Sequence, residues 1–276
     1  MKFTSKLLCV ILSAIILITL AGCNACGANG IQTDKIATVQ EHAKFRDSKD
    51  WAIQGGTFSV DLDLEYESIF AETKYDDDGA YYVVTETEIS AEGFINFDKK
   101  FLLSATADVT VEKTYTTIKN GKETKKTVKQ VMEGVGVLDD YAELWYIEDT
   151  TTTKENGNKS TTNKKYKDMD FYTRELNVLT FPVACNDLLE IILKVFEEYP
   201  TSSGSYFFID GDDCMLLNQS RTKMEKTAFM YNGSKIDRVH IVKEDANSSY
   251  DYKILFRDKK NISVPSDANT YEEYFS

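Results

Sequence analysis

The chain has 276 residues, of which 42% are hydrophobic, 12% aromatic and 28% charged. This composition supports a buried core and excludes collagen-like, low-complexity and wholly disordered classes. Lys and Arg number 32 against 45 Asp and Glu, so the formal net charge is −13. That balance argues against nucleic acid as the main partner, because neutralising phosphates needs a basic face. The two histidines leave little material for histidine-based catalysis or a histidine-rich metal site.

Residues 1–22 have the layout of a signal peptide. Lys2 and Lys6 precede an apolar run, residues 7–20, that is too short for a comfortable membrane span. The run leads into Leu20-Ala21-Gly22-Cys23, which resembles the lipobox of bacterial lipoproteins. The resemblance implies that a lipid is attached to the Cys23 thiol and that cleavage leaves Cys23 as the first residue. The alternative is an ordinary secretory signal with a chance cysteine.

Loss of residues 1–22 removes two lysines and no acidic residue, which lowers the net charge from −13 to −15. Acyl chains hold a protein on a bilayer, since each buried methylene contributes about 0.8 kcal/mol. We therefore expect an extracytoplasmic protein anchored to the cell membrane through Cys23. The abundance of Lys, Asn and Tyr favours a low-GC Gram-positive source. The predicted organisation is a signal peptide (1–22), a lipidated N-terminus with tether and short helix (23–49), and one β-rich domain (50–276).

The other cysteines allow two interpretations. Cys23 and Cys26 have C-x-x-C spacing, but a lipidated Cys23 takes no part in redox chemistry. Cys185 and Cys214 are candidates for a disulfide, because exported proteins reach an oxidising compartment. Two buried free thiols fit the sequence equally well.

Hydrophobic periodicity predicts a mainly β protein of the α+β type. A short helix is expected over residues 34–47, with Asp34 as a candidate N-cap. From residue 57, Phe58, Val60, Leu62, Leu64 and Tyr66 alternate with polar residues, as in a half-buried antiparallel strand. Further strands are predicted near 80–90, 100–116, 125–138, 142–153, 162–173, 205–210, 213–218, 222–232, 235–244 and 249–257, with turn signals between them.

The central strands are longer than usual, so accumulated twist predicts a strongly curved antiparallel sheet or half-barrel. Residues 186–199 provide a candidate cover. Asn186 or Asp187 can cap this amphipathic helix, Pro200 ends it, and its apolar side contains Leu188, Ile192, Val195, Phe196 and Tyr199.

This order of elements on an exported lipoprotein is similar to the half-barrel lipoprotein carriers of the LolA-like and LppX-like families. In those families a curved sheet and helices enclose a hydrophobic cavity. The resemblance is architectural, covers about residues 50–270 and transfers no functional residue. It implies that the apolar faces of the first strand and the helix could line a ligand site, with Phe58, Val60, Leu62, Leu64, Leu188, Ile192, Val195 and Phe196 as candidates. The same faces could instead pack on each other as a solid core.

Two basic segments stand out in this acidic chain. Residues 113–130 contain six lysines and one glutamate, and residues 153–167 contain five lysines and one glutamate. Both are expected at hairpin tips, where lysines could contact phospholipid headgroups or an anionic cell-wall polymer. The candidates in the second segment are Lys154, Lys159, Lys164, Lys165 and Lys167. The alternative is that they only keep strand edges soluble.

The sequence gives no positive sign of catalysis. It contains no G-x-S-x-G, H-E-x-x-H, P-loop or dinucleotide-binding motif. The acidic turns at 76–79 and 210–213 could bind Ca²⁺ but lack EF-hand spacing, and each is equally a hairpin turn. We therefore expect a non-enzymatic protein with no cofactor and no metal. The leading hypothesis is a binding protein for a hydrophobic or lipid ligand at the cell envelope. The alternative is an adaptor lipoprotein with a solid core that docks another envelope component through its surface.

Overall fold

The computed structural model describes residues 31, 33, 35–49, 57–98, 101–139, 142–168 and 199–274. They form a large, curved and unclosed sheet with one α-helix, α1 (Val39–Ser48). The strands in chain order are β1 (Thr57–Asp76), β2 (Gly79–Asp98), β3 (Phe101–Lys119), β4 (Lys122–Asp139), β5 (Ala142–Glu155), β6 (Asn158–Asp168), β7 (Ser205–Asp210), β8 (Asp213–Gln219), β9 (Lys223–Asn232), β10 (Lys235–Asp245), β11 (Ser248–Arg257) and β12 (Glu272–Glu273).

The sheet consists of two antiparallel meanders joined side by side. Strands β1 to β6 follow one another in space, as do β7 to β11, and β1 pairs with β11 to join the two. The short β12 pairs in parallel with β6. Strand β7 therefore lies at one edge of the described sheet, and β6 with β12 at the other. The prediction of a mainly β protein with a curved antiparallel sheet is confirmed.

The first strands are longer than predicted. Strands β1 and β2 have 20 residues each, although the clear alternation predicted only 57–67 and 80–90. In residues 68–76 of β1 every side chain is exposed or half-buried, so no hydrophobic period marks that end of the strand. Residues 91–98 of β2, in contrast, include Ala91, Ile95 and Phe97 of the main hydrophobic cluster. Residues 169–173 of the predicted strand 162–173 lie outside the described residues. The prediction begins too late, because β6 spans Asn158–Asp168. Its start is set by a two-residue turn in which Asn156 and Gly157 have positive φ angles of 51° and 82°.

The two faces of the sheet differ sharply in chemistry. One row of paired residues crosses eleven strands on what we call the apolar face: Ile209, Cys214, Phe229, Val239, Ile254, Leu62, Gly93, Ala107, Gly134, Ile147 and Tyr166. The residues one position along each strand belong to the other face, which we call the charged face. The main hydrophobic cluster lies on the apolar face.

The apolar face contains a tight aromatic contact. Gly136 of β4 pairs directly with Trp145 of β5, whose side chain is 1% exposed. A Cβ atom at Gly136 would lie 2.8–2.9 Å from three indole atoms, and one at Gly134 would lie 3.3 Å from the same ring system. The two glycines therefore make room for the indole.

The N-terminal segment closes the β7 edge. Ile31 packs with Phe208 on the charged face, and Ile36 forms a bridge with Phe208 at the edge. Helix α1 then lies on the apolar face, where Phe45 contacts Phe207 and Tyr231 edge-on. It begins at Val39, later than predicted, because Thr38 provides the N-cap in a capping box with Glu41. The hydrogen bond to Glu41 from Lys35, then those from Thr38, lower the Glu41 pKa to about 2.

The C-terminal segment crosses the charged face as a strap. After β11, the Lys260 carbonyl accepts a hydrogen bond from the Asn96 side chain, and the Lys260 ammonium lies 4.1 Å from the centre of the Phe94 ring. Tyr271 then reaches Glu148 of β5 with a 2.9 Å hydrogen bond. The segment ends as β12 on β6, so it ties the first meander together from β2 to its outer edge.

Several sequence predictions lie outside the described residues. These are the signal peptide and lipobox with Cys23, the helix cover with Leu188, Ile192, Val195 and Phe196, and Cys185. Tyr199, the last residue of the predicted helix, is described: its hydroxyl donates to the Ala37 carbonyl and its ring contacts His42. No helix within the described residues is both long and apolar enough to cross a membrane.

Candidate functional site

The most unusual surface is the part of the first meander that extends beyond the hydrophobic core. We call it the distal half: residues 67–87 of β1 and β2, 112–130 of β3 and β4, and 152–162 of β5 and β6. Most of its side chains are exposed or half-buried on both faces. Its large exposed side chains include Phe70 (60% exposed), Tyr75 (77%) and Tyr82 (57%). In the part of the chain that the structure describes, no second layer packs on it.

Cross-strand pairs stabilise the distal half in place of a core. The hydroxyl groups of Thr114 and Thr127 lie 3.3 Å apart, and those of Thr152 and Thr161 lie 3.2 Å apart. At the tip, the Lys119 ammonium binds the carboxylates of Asp76 (2.8 Å) and Asp78 (2.6 Å). These hydrogen bonds raise the pKa of Lys119 and lower that of Asp76. The acidic turn at 76–79 is therefore engaged by a lysine of the next hairpin.

A row of carboxylates runs along the charged face below the distal half. It consists of one acidic residue from each of five neighbouring strands: Asp63, Glu92, Asp108, Glu133 and Glu148. Lys253 lies 3.4 Å from Asp63 at one end, and Lys165 lies 2.7 Å from Glu148 at the other. Directly opposed like charges are unfavourable in a sheet. Water on this face keeps that cost low by screening the exposed carboxylates.

The five predicted anion-contacting lysines separate into two groups. Lys154 and Lys159 flank the Asn156–Gly157 turn and pair across β5 and β6. Within the described residues, no carboxylate lies within 4.0 Å of either ammonium. Lys165 instead binds Glu148 and Asp267, and Lys167 lies 5.8 Å from the centre of the Tyr146 ring. Lys154 and Lys159 thus lie at the hairpin tip, whereas Lys164, Lys165 and Lys167 lie further down β6, and contact of these lysines with an anionic surface stays a prediction.

Within the residues that the structure describes, strand β6 has an open edge along most of its length. The two-residue turn is closed by a hydrogen-bonded pair, Glu155 with Asn158. From this pair onwards, non-hydrogen-bonded and hydrogen-bonded pairs between β6 and β5 alternate. The N–H and C=O groups of Lys159, Thr161, Asn163 and Lys165 therefore point away from β5. The carbonyl of Lys167, which has the same orientation, accepts a hydrogen bond from Tyr274 of the strap. Among the described residues, β12 is the only strand on this edge, and it covers Tyr166 and Lys167 alone.

A cleft of about 740 Å³ separates the lower end of this edge from the strap. Its lining includes Asn163, Lys164, Lys165, Asp267 and Thr270. The hydrogen bond from Lys165, then that from Tyr271, lowers the Glu148 pKa, and Lys165 also lowers that of Asp267. Burial, followed by Glu148, raises the Tyr271 pKa to about 12. This network fixes the strap beside the basic edge.

The described candidates for a hydrophobic ligand site lie inside the core. Val60, Leu62 and Leu64 are at most 2% exposed and belong to the main cluster. Phe58 packs against that cluster and stacks on Phe97 at 4.9 Å between ring centres. A cleft of about 510 Å³ lies at the upper limit of the core, but its lining is mostly polar and includes Ser205, Asn218, Glu225 and Lys243.

The second acidic turn fastens α1 to the sheet. The buried Lys49 ammonium donates to Asp212 at 3.0 Å and to the Gly233 carbonyl at 3.2 Å, between the rings of Phe45 and Tyr231. Asp213 accepts a hydrogen bond from the Tyr231 N–H group. Cys214 is buried, and burial raises the pKa of its thiol. Because Cys185 lies outside the described residues, their pairing stays a prediction.

Sequence reasoning missed both the carboxylate row and the open edge of β6. The turn signals Asn120-Gly121 and Asn156-Gly157 could have set the register between β3 and β4 and between β5 and β6. They could not have shown that β6 lies at an edge, because strand order depends on the distant pairing of β1 with β11.

Comparison with known proteins adds little to this description. No protein-family model matches the chain, and no curated protein matches it. A solved porin-like protein from Bacteroides uniformis is similar over 72% of this chain and 95% of that chain, with 9% identity and a TM-score of 0.16. A TM-score this low supports no argument about shared function.

Proposed function

We propose that this chain is a non-catalytic, lipid-anchored protein on the extracytoplasmic face of the cell membrane, which docks another envelope component through its distal half. The observation that carries the proposal is the exposure of that region on both faces. A sheet that continues past its core gains little apolar burial from the extra residues, among which Val83 is the one buried apolar side chain, so its stability gives little reason for the extension. Its side chains, including Phe70, Tyr75 and Tyr82, are placed for contact with something outside the fold.

The reach of the distal half supports this proposal. Ile31 packs against the sheet in the row of Asp63, eight residues after the expected anchor at Cys23. Such a tether spans at most about 28 Å. The tip at Asp76 lies 13 residues further along β1, which is about 43 Å at strand geometry. The distal half thus extends beyond the reach of the tether and suits a component away from the anchor point.

A second candidate is the binding of a hydrophobic or lipid ligand by a half-barrel. The continuous apolar face favours it, because helix 186–199 would cover that face as helices do in the carrier families. Tyr199 supports such a cover, since it contacts α1 on the apolar side of the sheet. In that arrangement Leu188, Ile192, Val195 and Phe196 would face Phe58, Val60, Leu62 and Leu64.

Native mass spectrometry separates the two candidates. The chain from residue 23, with Cys23→Ala so that no acyl chain is added, is measured before and after incubation with envelope lipid extract, and then extracted with organic solvent. The docking function predicts the mass of the bare protein throughout. A stoichiometric co-purifying lipid would overturn it and establish the carrier.

Photocrosslinking in intact cells tests the docking surface directly. A photoreactive phenylalanine analogue at Tyr82, in the distal half, is expected to give adducts of higher mass. The same analogue at Tyr206, a half-exposed position on β7, serves as the control and should give none. Adducts at neither position, or equally at both, would contradict a distal docking surface.

A further inference from the structure

The open edge of β6 combines two features, namely strand backbone that no other described strand pairs with between Lys159 and Lys165, and concentrated positive charge. Four residues from Lys159 to Lys165 present outward N–H and C=O groups over about 20 Å of strand. Their side chains, with Lys154 on the neighbouring strand, lie on the charged face. An added strand would complete the hydrogen bonds and bring its own side chains against these lysines.

We infer that this edge is the docking site for an extended acidic segment of a partner protein, which adds to the sheet as a further strand. The inference rests on the proposed docking function and names the chemistry of its partner. Because alternate side chains of a strand share one face, the segment carries acidic residues at every second position, so that they lie opposite Lys159 and near Lys154.

The chain's own C-terminus provides the precedent. The strap places an acidic strand, β12, on the same edge of β6, next to Tyr166 and Lys167. Asp267 of the strap also binds Lys165 at 3.0 Å. The edge therefore already accepts acidic extended backbone at one end, and the cleft between the strap and Asn163 leaves room where an added strand would end.

The same charges disfavour a second copy of this chain as the occupant. Two β6 strands paired antiparallel over the whole open edge would set Lys159 of each copy opposite Lys165 of the other. Directly opposed like charges are unfavourable, and lysines on open edges prevent this kind of self-pairing. An acidic strand of another protein meets no such repulsion.

The test uses a fluorescent ten-residue peptide in which Glu alternates with Thr, binding to the chain from residue 23 with Cys23→Ala. A twin peptide with Lys in place of Glu is the charge control. We expect the Glu peptide to bind at least tenfold more tightly than the Lys peptide. Thr161→Pro, which removes one outward N–H group, should weaken binding at least tenfold, whereas Thr161→Ala should change it less than twofold.

Two further measurements keep the test independent of any effect of proline on folding. In the first, the Glu peptide is N-methylated at every second residue, in one version at the odd positions and in another at the even positions. One of these two versions must abolish binding and the other must preserve it. In the second, Lys159→Glu with Lys154→Glu should weaken binding, whereas the same change at Lys122 and Lys125, on the next hairpin, should have little effect. Binding that survives both methylation patterns would overturn the inference.

The outcomes also separate this inference from its alternatives. In one outcome, vesicles containing phosphatidylglycerol bind the wild type and the Thr161→Pro variant equally, and the peptide binds neither. This result would show that the lysines bind anionic surfaces in general, and it would overturn the edge site. A bound lipid in native mass spectrometry would instead overturn the docking function itself. Failure of the peptide test with a bare protein mass would refute the edge site alone.

Discussion

The contact between Gly136 and Trp145 makes a quantitative prediction about stability. A methyl group at Gly136 would lie 2.8–2.9 Å from the indole, and ordinary contacts begin about 0.5 Å further out. The indole is 1% exposed. Overpacking of this kind costs about 1–3 kcal/mol, while replacing glycine by alanine in a strand recovers about 0.5–1 kcal/mol. Gly136→Ala should therefore destabilise the protein by up to about 2.5 kcal/mol.

The effect of Gly136→Ala on the free energy of unfolding should change sign when the indole is absent. In a Trp145→Leu background the overpacking disappears, so Gly136→Ala should stabilise that variant by about 0.5–1 kcal/mol. Urea unfolding of the four proteins of this double-mutant cycle measures both values. Gly134→Ala, at 3.3 Å from the indole, should have a smaller effect than Gly136→Ala. An equal cost of Gly136→Ala in both backgrounds would refute the role assigned to Trp145.

Three other predictions concern local features of the fold. Thr38→Ala removes the N-cap of α1 and should cost about 0.5–2 kcal/mol in urea unfolding; an unchanged midpoint would mean that the cap contributes nothing. Lys49→Met removes the charged hydrogen bonds to Asp212 and Gly233 and should lower the free energy of unfolding by about 1–3 kcal/mol. The control Lys44→Met, at an exposed position of α1, should lower it little. Equal effects of the two substitutions would argue against a special role for Lys49. The lowered pKa values of Glu148 and Asp267 stabilise the strap above about pH 4, the usual range of free carboxyls, and this contribution is lost as the pH falls through the lower folded values. Amide NMR signals of Tyr274 and Lys167 should therefore change together on acidification below pH 4 and stay constant between pH 5 and 7.

The regular parts of the fold were accessible from the sequence because each carries its own local signal. Alternation at Phe58 to Tyr66 predicted the core part of β1, and the pairs Asn120-Gly121 and Asn232-Gly233 predicted two of the turns. The distal half lacked such a signal, since strands with solvent on both faces show no hydrophobic period. Its length became visible only through pairing with neighbouring strands.

The candidate site was predictable only in part, for a different physical reason. Lysine clustering in 153–167 was evident from composition, but the sequence does not state which backbone groups remain unpaired. That property follows from the order of strands, which depends on contacts such as β1 with β11, almost 200 residues apart. The strap was missed as well, because β12 has two residues and shows no period of its own.

The seam between β1 and β11 also has a consequence for how the chain acquires its structure. Every other antiparallel pairing in the described sheet joins strands that are consecutive in sequence, so each meander can form by successive hairpins with short loop closures. Joining them requires two regions almost 200 residues apart to meet, which is the kind of step that slows β proteins. Until it occurs, the buried sides of both strands and their unpaired backbone are open to solvent. We therefore expect a slow refolding phase that reports on Leu62 and Ile254 together, and a high risk of aggregation during that phase.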